Sequence, residues 1–535
     1  MLGTAVVELS RPEEDNRGAP STARPGRLVR VLDAVERIGN RLPDPMTLFA
    51  VFAVLVVIAS AVAARAGVSV RHPATGETVT ATSLLTAASL RRMLTEAVKN
   101  FALFPPLGTV LVTMIGVGVA EKTGLFAGAM RALVGAVPRA WLTAAVVFAG
   151  VNASAAADAG LVVLPPLAAA LFAAVGRHPL AGLAAAFAGV TGGFSANLAV
   201  TALDPLLSGL TESAARLVEP AIVVAPTCNY YFMVVSTFVL TAAGTLVTAR
   251  WVEPRLGAWH APEGAEDGAP ADALAPLTVR ERRALWAALA ALLGLAALVA
   301  ALALPAGGLL RDEHAGLRPL FDALVLLVMG AFLVPGIAYG LVARTIRSDK
   351  DVARMAADTM STMGAYIVLA FFAAQFVAYF GWSNLGIIVA VKGAAGLRGL
   401  GLTGLPLVVG FVVFCAVVNL LIASASAKWA VLSVVFVPML MLLGYSPAFA
   451  QVAYRVGDSL TNPITPLLPY FPILIAFARK YEPRAGLGTL VATTLPYSIG
   501  FSLVWIPMLV GWHLLGLPLG PAAPIHYAPP APLAP

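Results

Sequence analysis

The chain has 535 residues, 59% of them hydrophobic and only 12% charged, with a formal net charge of +7. A soluble domain carries roughly 25% charged side chains, so too few ionised groups are present to solvate a globule of this size, and a soluble enzyme is excluded. The Arg and Lys sit mostly in short segments between apolar runs, which reads as topology-setting flanks and not as a nucleic-acid surface.

Residues 1–45 are polar, and the first apolar run begins only at Met46, so the N-terminus does not read as a signal peptide. A cytoplasmic tail is expected there, with a short amphipathic surface helix carrying Arg27, Arg30, Arg37 and Arg41. A spanning helix needs about 20 apolar residues. Runs free of Asp, Glu, Lys and Arg occupy 46–64, 100–120, 140–157, 159–176, 179–203, 228–249, 284–310, 323–343, 359–391, 399–427, 429–454, 459–478 and the stretch from 485 onward. Between them, 65–98 mixes Arg, Glu and Lys and reads as an external loop, and Arg344, Arg347, Lys350 and Arg354 mark a cytoplasmic loop. Cys228 and Cys415 both lie inside apolar runs and imply neither a disulfide framework nor metal-ligand spacing.

The expected organisation is a first transmembrane repeat at 46–249 with a hairpin near 140–176, and a cytoplasmic linker at 250–283. A second repeat follows at 284–515 with a hairpin near 405–443, and a Pro/Ala-rich tail at 516–535 is expected outside. The repeat rests on two interruptions. In the first half, Asn152, Ser154 and Asp158 break an apolar stretch, and the Thr191–Asn197 segment (TGGFSAN) and Asp204-Pro205 follow. In the second half, Asn419 leads into Ser424, Ser426, Lys428 and Trp429, and the Gly457–Pro466 segment (GDSLTNPITP) follows. Paired breaks in corresponding positions are the sequence pointer to an inverted-repeat transporter, whose site lies where the broken helices meet.

Irregular backbone survives at membrane depth only where protein or a water-filled cavity supplies partners. Opened helix ends suit anions, and unwound carbonyls with Ser, Thr and Asn oxygens suit Na+. Candidate ion ligands are therefore Asn152, Ser154, Ser195, Asn197, Ser424, Asn462 and Thr465; Ser426 is placed with them, holding the ion or polarising the substrate. The bland alternative is that Ser and Ala only permit tight helix packing. Arg455 and Asp458 are three residues apart, share a helix face and are expected to form an ion pair. In that setting Arg455 would clamp a substrate carboxylate and Asp458 would orient it or carry a proton, although a purely structural pair has the same spacing. Lys428 is expected to snorkel to an interface. Trp429 is either an interfacial anchor or an aromatic wall for an aryl substrate. Asp158 reads as a functional charge or as a loop residue outside the membrane, Asp204-Pro205 can simply terminate a helix, and Pro447 and Pro466 more often mark kinks than contacts. No nucleophile elbow, phosphate loop, HExxH or zinc-type histidine spacing occurs, so no cofactor and no catalytic role is expected.

Several stretches together resemble the AbgT family, the p-aminobenzoyl-glutamate transporters. They are Asn100–Gly108 (NFALFPPLG), Met114–Leu125 (MIGVGVAEKTGL), Gly176–Val190 (GRHPLAGLAAAFAGV) and Gly192–Asn197 (GGFSAN) in the first half. Ala374–Phe380 (AQFVAYF), Trp382–Gly386 (WSNLG), Ser424–Trp429 (SASAKW) and Tyr454–Asn462 (YRVGDSLTN) follow in the second, so the resemblance spans roughly 100 to 480. It implies an all-α polytopic membrane protein of inverted repeats, with broken transmembrane helices, two re-entrant helical hairpins, and a scaffold domain beside a transport domain. It also implies a homodimer in the lipid of the bacterial inner membrane. The cargo would be a carboxylate-bearing aryl amide, p-aminobenzoyl-glutamate or a related folate catabolite, coupled to Na+ or H+. Some members look like exporters of sulfonamide drugs. The family's important positions match Asp204, Ser426, Trp429, Pro447, Arg455, Asp458 and Pro466 here. The chain departs from the pattern in its long N-terminal tail and at 152–158, where a glycine-containing tip is expected.

Overall fold

The structure, a computed structural model, describes residues 45–71, 77–135, 138–153, 159–201, 203–257, 259, 277–305, 307–312, 318–422, 424–465, 467–468 and 470–527. The expected surface helix at 27–41, Ser154, Asp158, Pro466 and most of the 250–283 linker lie outside them. Among the described residues, nine helices are long and apolar enough to cross a membrane. That so many long apolar segments are helical follows from the solvent: with no water at membrane depth, a backbone must satisfy its own hydrogen bonds.

Helix α1 (Pro45–Arg65) opens the described chain and packs on a later helix, α13 (Gly364–Trp382). The described residues of the segment read as an external loop carry secondary structure. They form an antiparallel pair, β1 (Ser69–Arg71) and β2 (Thr78–Thr80), and helix α2 (Ala87–Ala102), capped by Thr86 Oγ1 accepting from Ser89 N at 3.2 Å. Charged residues misled the reading because α2 is amphipathic: Arg91, Arg92 and Lys99 share it with exposed Leu94 and Val98. The predicted loop around Arg347–Arg354 is likewise mostly helix, α12 (Asp349–Thr362). Asp351 closes its first turn by accepting from Arg347 N at 2.9 Å and Ser348 N at 3.0 Å. Those backbone bonds hold its carboxyl below the ordinary aspartate value, so this cap is intact above that value and is lost as pH falls through the lowered one.

Helices α3 (Pro105–Lys122), α10 (Val279–Ala303) and α11 (Leu324–Ala343) pack side by side through small residues. A Cβ on Gly116 of α3 would stand 2.2 Å from the Met329 carbonyl oxygen of α11. Gly116→Leu is therefore expected to force the two helices apart. Overpacking costs about 1–3 kcal/mol, and a lowered thermal midpoint of the detergent-solubilised protein checks it. Of α10 only Ala284, Ala288 and Ala303 are buried, and Trp286, Leu289 and Leu293 are exposed.

The remaining helices repeat one order of elements. In the first half α5 (Leu142–Ala153) and α6 (Ala159–Ala174) both pack on α7 (Pro179–Gly192), whose chain breaks before resuming as α8 (Leu203–Ala215). In the second half α15 (Gly404–Leu421) and α16 (Ala425–Leu442) both pack on α17 (Pro447–Leu460), which breaks before α18 (Phe471–Arg479). Residue Ile422 leaves α15 with extended backbone, and Ser424 caps α16. Helices α9 (Tyr230–Val247) and α19 (Leu487–Leu515) pack together and complete this part. Residues 516–527, read as part of an outside tail, fold back on the helices. Leu519 and Ile525 are buried, the Ile525 carbonyl accepts from Ser446 N at 2.8 Å, and Tyr527 donates to Glu219 at 2.8 Å. Its Pro and Ala content hid the apolar anchors Leu519 and Ile525 among residues that otherwise favour loops.

Candidate functional site

Both breaks come to one place. Asn462, in the short 3-10 turn after α17, donates through Nδ2 to the Thr191 carbonyl at the end of α7, at 3.1 Å. Asn419, near the end of α15, donates to Asn462 Oδ1 at 2.8 Å and to Thr461 Oγ1 at 2.9 Å, tying the second hairpin to the second break. On the other side, Asn152 Oδ1 at the end of α5 accepts from Leu198 N at 3.0 Å, tying the first hairpin to the first break. A Cβ on Gly192 would meet the Phe501 ring at 2.7 Å and the Pro463 ring at 3.0 Å, so glycine is what lets the breaks approach.

Four charged residues are buried beside this junction: Asp204, Lys428, Arg455 and Asp458. They pair across elements. Arg455 Nη1 of α17 meets Asp204 Oδ1 of α8 at 2.6 Å, and Lys428 Nζ of α16 meets Asp458 Oδ1 of α17 at 2.6 Å. Asp204 is aimed by its own turn, its Oδ2 accepting from Thr201 N at 2.6 Å and Thr201 Oγ1 at 2.9 Å. The Arg455–Asp458 pair expected from spacing is therefore absent. Forming it would strand Asp204 and Lys428 as unpaired buried charges, each carrying a desolvation penalty of several kcal/mol. Lys428 does not snorkel either; its ammonium also donates to Asn419 Oδ1.

Trp429 is neither an interfacial anchor nor an open wall. Its indole is fully buried, stacks on Tyr454 with centroids 4.4 Å apart, and donates through Nε1 to Thr211 Oγ1 at 2.9 Å. Thr211 continues to Gln451 Oε1 at 2.6 Å, and Gln451 Nε2 donates to Asn229 Oδ1 at 3.0 Å. This relay locks α8, α16 and α17 to the start of α9. The Tyr454 hydroxyl lies 2.5 Å from the Ala425 carbonyl and 3.0 Å from Asp458 Oδ1, and its single proton serves one of them at a time.

The other expected residues are spread around this centre. Ser195 and Asn197 are buried in the first break, and Thr465 is buried in the second with its hydroxyl lacking a hydrogen-bond partner. Ser424 is exposed as the cap of α16, and Ser426 is half-buried 3.3 Å from it. Pro447 is not brought to the charges. It is the first residue of α17, buried behind the Ser446 cap, and about 12 Å along the helix from Arg455 at 1.5 Å per residue. Sequence reasoning missed Thr211, Gln451, Asn229, Thr201 and Tyr454; the available signal was that Thr211, Asn229 and Gln451 are polar residues inside or beside apolar runs. No group of His, Cys, Asp and Glu among the described residues could hold a metal ion.

One feature of this cluster is open to a ligand. Arg455 uses a single N–H on Asp204, and its Nε and Nη2 are buried without a partner. A guanidinium presents its donors as a planar fork that matches a carboxylate. Unpaired buried donors are rare in native proteins and call for an explanation.

The sequence profile of the AbgT putative transporter family matches residues 30–527. The chain is 39% identical to the p-aminobenzoyl-glutamate transport protein of Escherichia coli K12 over 505 residues, which are 94% of this chain and 97% of that one. Among solved structures, it superposes on the YdaH transporter of Alcanivorax borkumensis with a TM-score of 0.84 and 45% identity, covering 90% of this chain and all of that one. It superposes on MtrF of Neisseria gonorrhoeae, described within a class of antimetabolite efflux pumps, with a TM-score of 0.88 and 46% identity, covering 92% of this chain and 100% of that one. With its membrane-spanning helices and the likeness running through both broken segments, the chain is a multi-pass membrane protein and belongs to the AbgT family of transporters.

Proposed function

We propose that this protein is an ion-coupled secondary transporter of p-aminobenzoyl-glutamate or related folate catabolites, working by alternating access in the inner membrane as a homodimer. The observation that carries the reading is the pair of unpaired buried donors on Arg455. Two buried donor nitrogens, Nε and Nη2, at a junction of broken helices suit a carboxylate, and p-aminobenzoyl-glutamate carries two. Asp204 and Asp458 are buried beside Arg455, and in this reading Ser426 and the broken backbone around Asn197, Asn462 and Thr465 would supply further polar contacts to the cargo. The aryl end would meet the Trp429–Tyr454 stack only after movement of α16, since the indole is enclosed in this state. The coupling ion is Na+ or a proton. Exposed apolar side chains along α10 support a lipid or subunit contact on that side.

Counterflow tests the transport reading. Proteoliposomes preloaded with unlabelled p-aminobenzoyl-glutamate are expected to accumulate the labelled compound transiently above its external concentration, with the recovered label chemically unchanged. A passive pore gives equilibration without overshoot, an enzyme gives a new product, and either result rejects the proposal. The likeness to MtrF favours a second reading, export of sulfonamide-type antimetabolites on the same fold. Raised sulfonamide tolerance in an expressing strain, without growth of a folate-requiring mutant on p-aminobenzoyl-glutamate, selects that reading.

A further inference from the structure

Helix α2 leaves two parallel stripes uncovered. Leu90, Leu94 and Val98 recur every fourth residue and are 44%, 85% and 77% exposed. One position further round, Arg91, Thr95 and Lys99 recur with the same period and are exposed too. Residues four apart stand one above the other on a helix, so an apolar stripe and a cationic stripe run side by side. The opposite face is anchored on α13. Gln375 accepts from Asn100 Nδ2 at 2.9 Å and donates to the Ala97 carbonyl at 2.9 Å, and the Arg92 guanidinium lies 4.1 Å from the centroid of the Trp382 ring. Arg92 also pairs with Glu96 at 3.2 Å, so Arg91 and Lys99 are the cations of α2 without an ion pair among the described residues.

These contacts fix the depth of α2. Helix α13 is long and apolar enough to span, and it ends at Trp382, a residue type enriched at membrane interfaces. Gln375 lies about 10 Å further in at 1.5 Å per residue, and α2 descends beside α13 from Arg92 to Asn100. Lys99 is therefore exposed about 10 Å below the level of Trp382, a depth at which an ionised side chain is costly unless it meets an opposite charge or reaches back to the interface. Above it, the segment from Arg65 to Lys99 carries five cations, Arg65, Arg71, Arg91, Arg92 and Lys99, against Glu77 and Glu96.

We infer that the paired stripes of α2 hold an anionic phospholipid, its phosphate drawn between Arg91 and Lys99 and an acyl chain lying along Leu90, Leu94 and Val98. Charge and apolarity choose the occupant together: the cations need an anion at the interface, and the stripe beside them needs hydrocarbon at the same depth. Juxtamembrane cations attract anionic lipid in this way. A second copy of the chain docked through the same face across a two-fold axis would bring like charges together.

The test uses the full-length, delipidated protein in detergent, offered equal amounts of dioleoylphosphatidylglycerol and dioleoylphosphatidylcholine and read by native mass spectrometry. The wild type is expected to retain the anionic lipid over the zwitterionic one by on the order of ten-fold, since each cation beside an anionic lipid contributes roughly five-fold. Arg91→Gln with Lys99→Gln is expected to bring that ratio to within about two-fold of parity. Arg91→Lys with Lys99→Arg keeps both charges and is expected to keep the preference. Lys350→Gln with Lys392→Gln removes exposed cations from α12 and from α14 (Leu385–Gly399), and is expected to leave the ratio as in the wild type. The thermal midpoint is expected to rise with added phosphatidylglycerol and not with the same concentration of inorganic phosphate, because the phosphate ion has no chain for the apolar stripe. No preference in the wild type, a preference retained by the double glutamine variant of α2, an equal loss in the α12 and α14 control, or an equal midpoint rise from phosphate alone overturns the inference. A double glutamine variant of α2 that changes oligomeric state while its lipid ratio stays at the wild-type value assigns the face to a second copy, and overturns it as well.

Discussion

Arg455→Ala is expected to abolish measurable transport of p-aminobenzoyl-glutamate. The variant removes both donors that lack a partner, Nε and Nη2. Hydrogen bonds to a charged group contribute about 1.5–3 kcal/mol each, so losing two weakens binding by a factor on the order of 10²–10⁴. The same change strands Asp204, whose Oδ1 loses its contact with the guanidinium. Breaking a buried pair by removing one partner costs about 3–5 kcal/mol, so a fold defect has to be separated from a binding defect. The double variant Asp204→Asn with Arg455→Ala removes the stranded charge and is expected to recover the thermal midpoint without recovering flux. Arg455→Lys keeps the charge but loses the fork, and is expected to fold with strongly reduced flux. Near-wild-type flux in a folded Arg455→Lys variant would contradict carboxylate recognition by the guanidinium plane.

Trp429→Ala is expected to destabilise the junction strongly. The indole is wholly enclosed, stacked at 4.4 Å on Tyr454, and donates to Thr211. Truncating a buried Trp costs about 3–5 kcal/mol, and here the cavity opens between three helices. Thr211 also loses the donor that links it to α16, which loosens the relay through Gln451 to Asn229. Trp429→Phe keeps a ring on Tyr454 and forfeits mainly the hydrogen bond, about 1 kcal/mol. Thermal midpoints of the two variants are therefore expected to separate clearly, with phenylalanine close to the wild type. An alanine variant with an unchanged midpoint and altered selectivity for aryl ligands would mean that the ring lines an open site.

Much of the architecture was legible because lipid imposes a simple rule on sequence. Apolar length marks spans, and α1 at Pro45–Arg65 matches the run at 46–64 within a residue at each end. Backbone breaks were legible for the same reason: Gly, Ser, Thr and Asn inside apolar runs have no use for lipid. They are where α7 stops at Gly192 and where α17 gives way at Thr461. Amphipathic surface elements were not legible, since a charge-free run cannot describe a helix such as α2 that carries Arg and Lys on one face.

Within the junction, the sequence told which charges are rare but not which meet. Local spacing favoured Arg455 with Asp458, whereas partners 251 residues apart in Asp204 and Arg455 close the pair. Lys428 was misread because a lysine next to a tryptophan fits a membrane interface, and only the neighbouring helices reveal that the chain buries it. The Trp429–Thr211–Gln451 relay was likewise invisible, because Thr and Gln in an apolar run signal polarity without signalling a partner.

The central claim is that two broken helices from separate halves of the chain build one binding site. Photolabelling with an azido analogue of p-aminobenzoyl-glutamate, followed by mass-spectrometric mapping of the labelled peptides, tests it most directly. Adducts on both 191–204 and 424–465, each suppressed by excess unlabelled p-aminobenzoyl-glutamate, are the predicted result. Competable adducts confined to one half, or lying on α10 to α13 away from the breaks, would contradict it.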